Sequence, residues 1–173
     1  MEEKLISQEN LNTLVADLIK ANHVVIGQAA PKAGKTKKTV GWKRLTVADE
    51  IVVNSKSIPS NLSYKEFVFA EAEPIFYFRN NKDNYDLIEP KLEEQKLVFL
   101  GAKPCDARSI EIMSHVFNWD YKDKFYNERA ERSIVIGVAC SYQDEFCFCT
   151  SVGLNPTSEA GSDLFLVPLD DKN

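Results

Sequence analysis

Hydrophobic residues recur at helical spacing near the start of the chain. They are Leu5, Ile6, Leu11, Leu14, Val15, Leu18 and Ile19. Spacings of three and four residues predict an opening helix of about four turns. The apolar run at residues 24–26 predicts a short buried strand, and the Lys-rich stretch that follows predicts a turn into a second extended segment near residues 42–46. Residues 66–69 and 75–78 are rich in aromatic and β-branched side chains and are also predicted to be extended.

Strand and helix patterns alternate more clearly in the second half. Continuous apolar runs at residues 97–101 and 133–139 predict two buried strands, and a third run follows at residues 164–167. Between the first two lies a helix with an apolar face, for which Asp106 is the predicted cap, and then a mostly charged helix over residues 122–132. A strand, helix and strand in this order predict a βαβ unit with two parallel, adjacent strands.

These elements predict an α/β protein of mixed α+β character with a partly parallel sheet. We expect a single domain over residues 1–173. Its N-terminal helix and strand or hairpin region occupies residues 1–80, and the βαβ unit occupies residues 96–169. The length of 173 residues, with 44% hydrophobic and 27% charged residues, is typical of one globular domain.

Charge and hydropathy restrict the class of protein further. The net charge of −5 argues against a nucleic-acid-binding domain, which usually carries a basic excess. No apolar run approaches the roughly 20 residues that cross a bilayer, and the N-terminus lacks the pattern of a signal peptide. We therefore expect a cytoplasmic protein without a membrane span. In that compartment disulfides are rare, and clustered cysteines more often bind metals or do redox work.

All four cysteines fall in the second half of the chain, at Cys105, Cys140, Cys147 and Cys149. Cys105 and Cys140 each follow a predicted parallel strand, and the carboxyl ends of parallel strands meet at one edge of a sheet. Because the other two cysteines lie one short loop further on, we expect all four sulfurs to converge at this edge. Phe148, between the last two, is predicted to shield the site from water, and the alternative is that it packs in the core.

Four thiolates suit either a structural zinc or an iron–sulfur cluster. The spacing C-x34-C-x6-C-x-C differs from the cysteine runs of bacterial ferredoxins and from the paired cysteines of zinc ribbons. Spacing alone therefore leaves three hypotheses open, namely a cluster, a zinc site, and free or redox-active thiols.

Several motifs resemble a known family. They are LGAKPCD at residues 100–106, Cys140, and CFCTSVG at residues 147–153, with further similarity at residues 65–67 and 73–78. Together they resemble the iron–sulfur beta subunits of sulfhydrogenases, also called hydrogenase/sulfur reductase beta subunits, and the A subunit of anaerobic sulfite reductase. Members usually continue into a ferredoxin-like region with two further cysteine runs, which these 173 residues do not contain. The resemblance is thus to the N-terminal domain.

The resemblance implies a non-catalytic electron-transfer component of an anaerobic oxidoreductase complex. The implied cofactor is a [4Fe–4S] cluster with Cys105, Cys140, Cys147 and Cys149 as ligands. The implied partners are two other subunits, one flavin- or nicotinamide-binding and the other catalytic. The alternative is a structural zinc-binding domain, or a metal-free domain that docks larger subunits and has no redox activity.

Overall fold

The structure, a computed structural model, describes residues 3–29, 41–47, 51, 53, 63–81, 84–91 and 93–169. The helices are α1 (Gln8–Lys20), α2 (Pro104–Phe117) and α3 (Lys124–Glu131), with short 3₁₀ helices at Tyr64–Phe67 and Cys149–Val152. The strands are β1 (Val24–Ala29), β2 (Gly41–Arg44), β3 (Tyr77–Asn81), β4 (Asn84–Ile88), β5 (Leu97–Ala102), β6 (Ser133–Val138) and β7 (Leu164–Leu166). The predicted Lys-rich turn at residues 32–40 lies outside the described residues.

The main sheet has five strands in the order β2-β1-β5-β6-β7. Strands β1, β5, β6 and β7 run parallel to one another, and β2 is antiparallel to β1 at one edge. This arrangement confirms the predicted mixed α/β class, the partly parallel sheet and the adjacent strands of the βαβ unit. Strands β3 and β4 form a separate antiparallel hairpin.

The sheet is buried on both faces, as is usual for parallel strands. Alternate residues of β1 and β5 enter two clusters. One cluster contains Ile26 and Phe99 with residues of α2 and α3, and the other contains Val25 and Val98 with residues of α1. Because successive side chains of a strand point to opposite faces, the continuous apolar runs of the sequence serve both clusters.

Side-chain caps fix where two of the helices begin. The Ser7 hydroxyl accepts a hydrogen bond from the Asn10 amide at 3.2 Å before α1, and the Asp123 carboxylate accepts one from the Tyr126 amide at 2.7 Å before α3. Each cap satisfies an amide that the helix itself leaves without a partner.

The start of α2 differs from the prediction. The assignment of Asp106 as the cap of this helix is wrong, because the helix begins two residues earlier at Pro104 and Asp106 lies in its first turn. Proline suits the first helical position, since its fixed φ is already helical and its missing amide costs nothing there. Lys103 occupies the cap position and makes no side-chain capping bond.

The predicted strand at residues 66–69 is also wrong. Tyr64–Phe67 is a 3₁₀ helix, and the ring of Tyr64 packs against Trp42 and Phe99 with centroids 5.1 and 4.6 Å apart. The aromatic content of this segment thus reflects core packing and not strand pairing. The strand predicted at residues 75–78 begins at Tyr77, and its partner β4 was not predicted.

Candidate functional site

The carboxyl ends of β5 and β6 lie side by side at one edge of the sheet. The two strands are parallel neighbours, with Phe99 opposite Val135. Cys105 lies in the first turn of α2, three residues after β5, and Cys140 lies two residues after β6. Topology therefore brings these two cysteines to the same edge. This is the usual position of a ligand crevice in an open α/β sheet.

A bulge interrupts β5 just before this edge. The register shifts between Leu100 and Ala102, and Gly101 adopts a φ of +87°. Glycine adopts this backbone conformation without the steric cost that other residues meet. Bulges change the direction of the chain that follows them, so Gly101 orients the segment leading to Lys103 and Cys105.

The environment of the Cys105 thiol keeps it protonated at neutral pH. Part of the residue is exposed. Even so, burial is the main cause that raises the pKa of this thiol to about 11, with further contributions from the charges of Asp106 and Cys140. A metal ion that bound here would have to displace this proton, as metal ions do when they bind thiols.

Cys147 bonds to its own loop. Its sulfur accepts a hydrogen bond from the Asp144 amide at 3.3 Å and donates to the Asp144 carboxylate at 3.2 Å. The amide lowers the pKa of the Cys147 thiol, but the carboxylate bond, desolvation and the charges of Asp144 and Cys140 outweigh it, so the pKa is raised.

Cys140 and Cys149 both lie on the connection between β6 and β7. The Cys140 sulfur donates to the Tyr142 carbonyl at 3.3 Å, and Cys149 begins the second 3₁₀ helix. All four cysteines are free thiols. The charge of Cys140 contributes to the raised pKa of both Cys105 and Cys147.

The described residues include all four cysteines, and among them no three His, Cys, Asp or Glu side chains lie close enough together to hold a metal ion. The four-sulfur site therefore stays a prediction. The chemistry of the donor set does fit a soft metal centre, because thiolates are the preferred ligands of zinc and of iron–sulfur clusters. Cys105 and Cys140 come from the rigid sheet edge, and Cys147 and Cys149 come from the loop.

Aromatic residues of this loop are exposed. Phe148 is 64% exposed and Phe146 is 77% exposed. In this structure Phe148 therefore does not shield the cysteines, contrary to the prediction. A short loop with no buried residue from 141 to 155 offers nothing for the ring to pack against.

Sequence reasoning missed the charged groups of the site. Lys103 is buried, and Asp106 has a raised pKa, caused first by burial and opposed by the charges of Lys65 and Lys103. The Asp106 carbonyl accepts hydrogen bonds from the Tyr64 hydroxyl at 2.6 Å and the Ser109 hydroxyl at 2.5 Å. The sequence did contain a signal for these groups. Lys103 directly follows the apolar run at residues 97–102 and is itself followed by Pro-Cys-Asp.

No helix among the described residues is long and apolar enough to cross a membrane. No protein-family model matches the chain. No solved structure matches it either.

One curated relative supports the family resemblance. Over 76 residues the chain is 34% identical to sulfhydrogenase 2 subunit beta of Pyrococcus furiosus. The match covers 44% of this chain and 22% of the relative, so the chain spans well under half the length of that protein. Over the matched part, the predicted resemblance to the sulfhydrogenase beta subunits is confirmed.

Proposed function

We propose that this chain is an iron–sulfur electron-transfer subunit or domain of an anaerobic oxidoreductase complex of the hydrogenase type. The observation that carries the proposal is the position of Cys105 and Cys140 after two adjacent parallel strands, at one edge of the sheet. The similarity to a sulfhydrogenase beta subunit supports a redox role over other roles for such cysteines.

Cys105, Cys140, Cys147 and Cys149 would hold a [4Fe–4S] cluster. When bound, the cluster supplies one-electron transfer without any proton chemistry from the chain. The chain's own contribution is to hold the thiols and to offset their negative charge. The amino end of α2, which includes Cys105, favours negative charge because its first amides point toward that end.

A carrier with no catalytic group of its own needs two partners. We propose two other subunits in the cytoplasm, one flavin- or nicotinamide-binding and the other catalytic. The similarity to a subunit of a sulfhydrogenase supports an assembly with other subunits.

Metal analysis of anaerobically purified protein tests the proposal. We expect iron and acid-labile sulfide in equal amounts, about four of each per chain for a [4Fe–4S] centre, and an EPR signal after reduction with dithionite. Cys147→Ser should lose most of the iron. Ser151→Ala, which changes an exposed residue of the same loop, should keep it. A colourless protein with one zinc per chain would contradict the cluster.

A second candidate function is the docking of larger subunits, with a zinc ion or without any metal. The hairpin β3–β4 favours it, because every described residue of both strands is exposed, including Phe78, Tyr85 and Leu87. If Cys147→Ser left both the copurification of partner subunits and their electron transfer unchanged, this second function would replace the first.

A further inference from the structure

The hairpin of β3 and β4 stands apart from the main sheet. It forms a sheet of only two strands, and every residue of both strands is exposed. Before β3, Glu73 pairs with Arg129 of α3. After β4, Glu89 pairs with Lys124 of the same helix. A two-stranded hairpin alone is only marginally stable in water, so this one should gain stability from a layer that covers one of its faces.

One face of the hairpin is largely apolar and carries no charge. Successive side chains of a strand point to opposite faces, and residues directly opposite each other on the two strands share a face. This rule and the register of the hairpin define what we call the aromatic face, which consists of Phe78, Asn80, Tyr85 and Leu87. The rings of Phe78 and Tyr85 stack on it with their centroids 5.2 Å apart.

The opposite face of the hairpin is charged. Arg79 lies directly across from Asp86, and the Asp86 carboxylate accepts a hydrogen bond from the Asn81 side-chain amide at 2.8 Å. Tyr77 and Ile88 lie on this face as well. A protein that covered it would have to remove both charges from water, which the aromatic face does not require. Association is therefore less costly at the aromatic face.

The area of the aromatic face is a large part of what an interface needs. Phe78 is 58% exposed, and Tyr85 and Leu87 are each 67% exposed. At about 200 Å² for each whole side chain, these three residues present about 400 Å². A stable complex buries about 800 Å² on each partner, so the face supplies roughly half of one side. Phe76, which is exposed just before β3, adds to it.

The polar groups of the aromatic face are able to pair with copies of themselves. Among its four side chains, the polar groups are the Asn80 amide and the Tyr85 hydroxyl, and each can both donate and accept a hydrogen bond. In a two-fold contact the same patch of both copies meets, so each group can find a partner on the other copy. Charged groups would instead meet like charges.

We propose that the aromatic face is the contact between two copies of this chain, which pack their hairpins face to face about a two-fold axis. The two hairpin sheets then lie about 10 Å apart and bury the aromatic side chains between them. This inference does not rest on the proposed electron transfer, because the hairpin contains no cysteine.

Sedimentation equilibrium of the full chain tests the contact. A reductant is present throughout, so that the free cysteines do not form cross-links. We expect the wild type to have twice the mass of one chain at high concentration and to dissociate on dilution. Phe78→Lys and Asn80→Asp each place a charge in the contact, and each should weaken self-association at least about 30-fold, as the loss of an interface hot spot does.

Tyr77→Lys is the matched control. Tyr77 precedes Phe78 and is exposed to nearly the same extent, at 54%, but lies on the charged face. Its replacement should change self-association less than about threefold. Far-UV circular dichroism checks the folding of each variant. Asn80→Asp, which hardly changes the side-chain volume, decides the test if Phe78→Lys fails to fold.

Three outcomes would overturn the proposal. A wild type that is monomeric at every concentration excludes a second copy, and larger subunits would then be the partners to test on this face. Equal weakening by Tyr77→Lys and Asn80→Asp means that the contact does not involve the aromatic face. Loss of the dimer in Cys147→Ser would place the contact at the cysteine loop. A dimer that persists in Cys147→Ser without iron supports this inference whatever becomes of the cluster.

Discussion

At the scale of single residues, Gly161 is where the chain leading into β7 touches α2. Its φ is +83°, and a Cβ atom placed on it would lie 2.5 Å from the carbonyl oxygen of Ala107. Ala107 lies two residues after Cys105 in the same helix. The approach of the two backbones therefore fixes the chain before β7 against the helix that carries the first cysteine.

Gly161→Ala should destabilise the fold more than Gly153→Ala. Both glycines have positive φ, but a Cβ at Gly153 meets nothing within 4 Å, so only the backbone cost of about 1–2 kcal/mol applies there. At Gly161 the contact with a helix backbone adds to that cost. Urea unfolding of both variants measures the difference. If both variants lost the same free energy of unfolding, the chain before β7 would be able to move away from α2 without cost.

Tyr64 connects the first half of the chain to the site by its hydroxyl, which donates to the Asp106 carbonyl. Burial raises its pKa, followed by the charge of Asp106, so the folded state disfavours the phenolate. The resulting stabilisation is fully present below the pKa of an unfolded tyrosine, about 10, and is lost as the pH rises above it.

The free energy of unfolding should therefore fall more steeply in the wild type than in Tyr64→Phe above pH 10, by up to about 1.4 kcal/mol per pH unit. At pH 7 the same variant should lose only about 0.5–1.5 kcal/mol, because Ser109 still donates to the Asp106 carbonyl. Urea titrations at pH 7 and between about pH 9 and 11 give both values. If the free energy of unfolding fell with the same slope against pH in the two proteins at high pH, the Tyr64 hydroxyl would not be buried as described.

At the scale of secondary structure elements, the stability of α3 depends on side-chain contacts at its two ends. Asp123 caps its start, and Arg129 near its end pairs with Glu73 and donates to the Val68 carbonyl at 3.3 Å. The helix has only eight residues, too few to be stable alone. Its contacts with the segment before β3 therefore help to keep the long connection between β2 and β5 in place.

Removing the cap of α3 should lower stability without changing the fold. Asp123→Ala leaves the Tyr126 amide without its side-chain acceptor and should cost about 1 kcal/mol. Asp123→Asn should recover most of this loss, and Asp120→Ala, at an exposed position just before the helix, should cost little. Chemical denaturation of the three variants provides the comparison. An equal cost at both aspartates would point to general charge effects instead of capping.

The elements that sequence patterns predicted are those with continuous apolar runs. Strands β5, β6 and β7 were placed within about two residues, because a strand buried on both faces has few polar positions. The segment around Tyr64 was misassigned because a short aromatic-rich stretch packs equally well as a strand or as a turn of helix. The hairpin strand β4 was not predicted because it has only five residues and is exposed along its whole length, so it has no buried face.

The site was predictable only as far as topology determines it. Parallel strands bring Cys105 and Cys140 to one edge wherever the strands themselves are recognised. The burial of Lys103 was not predictable, because a lysine at the end of an apolar strand usually extends into solvent. The bulge at Gly101 and the early start of α2, which lie on either side of Lys103, leave no periodic signal either.

At the scale of the whole molecule, the loop between β6 and β7 closes on itself. The Cys140 amide donates to the Pro156 carbonyl at 2.8 Å, and the Ala139 amide donates to the Leu166 carbonyl at 2.9 Å. Residues 141–155 thus leave the sheet edge and return to it, and none of them is buried. Two of the four cysteines lie on this excursion and two lie outside it.

Replacing residues 141–155 with Asn-Gly should leave the fold intact. A two-residue turn of this kind can join backbone segments that already lie side by side, and a shorter loop costs less entropy to close. Far-UV circular dichroism and the free energy of unfolding of the metal-free protein should match the wild type to within about 1 kcal/mol. Iron uptake should be lost. Unfolding of the variant would show that the loop is needed for the core.

Because the loop departs from the sheet and returns to it at nearly the same point, half of the proposed donor set belongs to the scaffold and half to an exchangeable insert. Related chains could therefore exchange or discard this insert in a single evolutionary step and keep the same sheet. A relative without Cys147 and Cys149 would then be a folded protein that retains Cys105 and Cys140 as remnants of the proposed site. The presence of the fold in a genome would accordingly be a poor guide to redox function unless the insert is present as well.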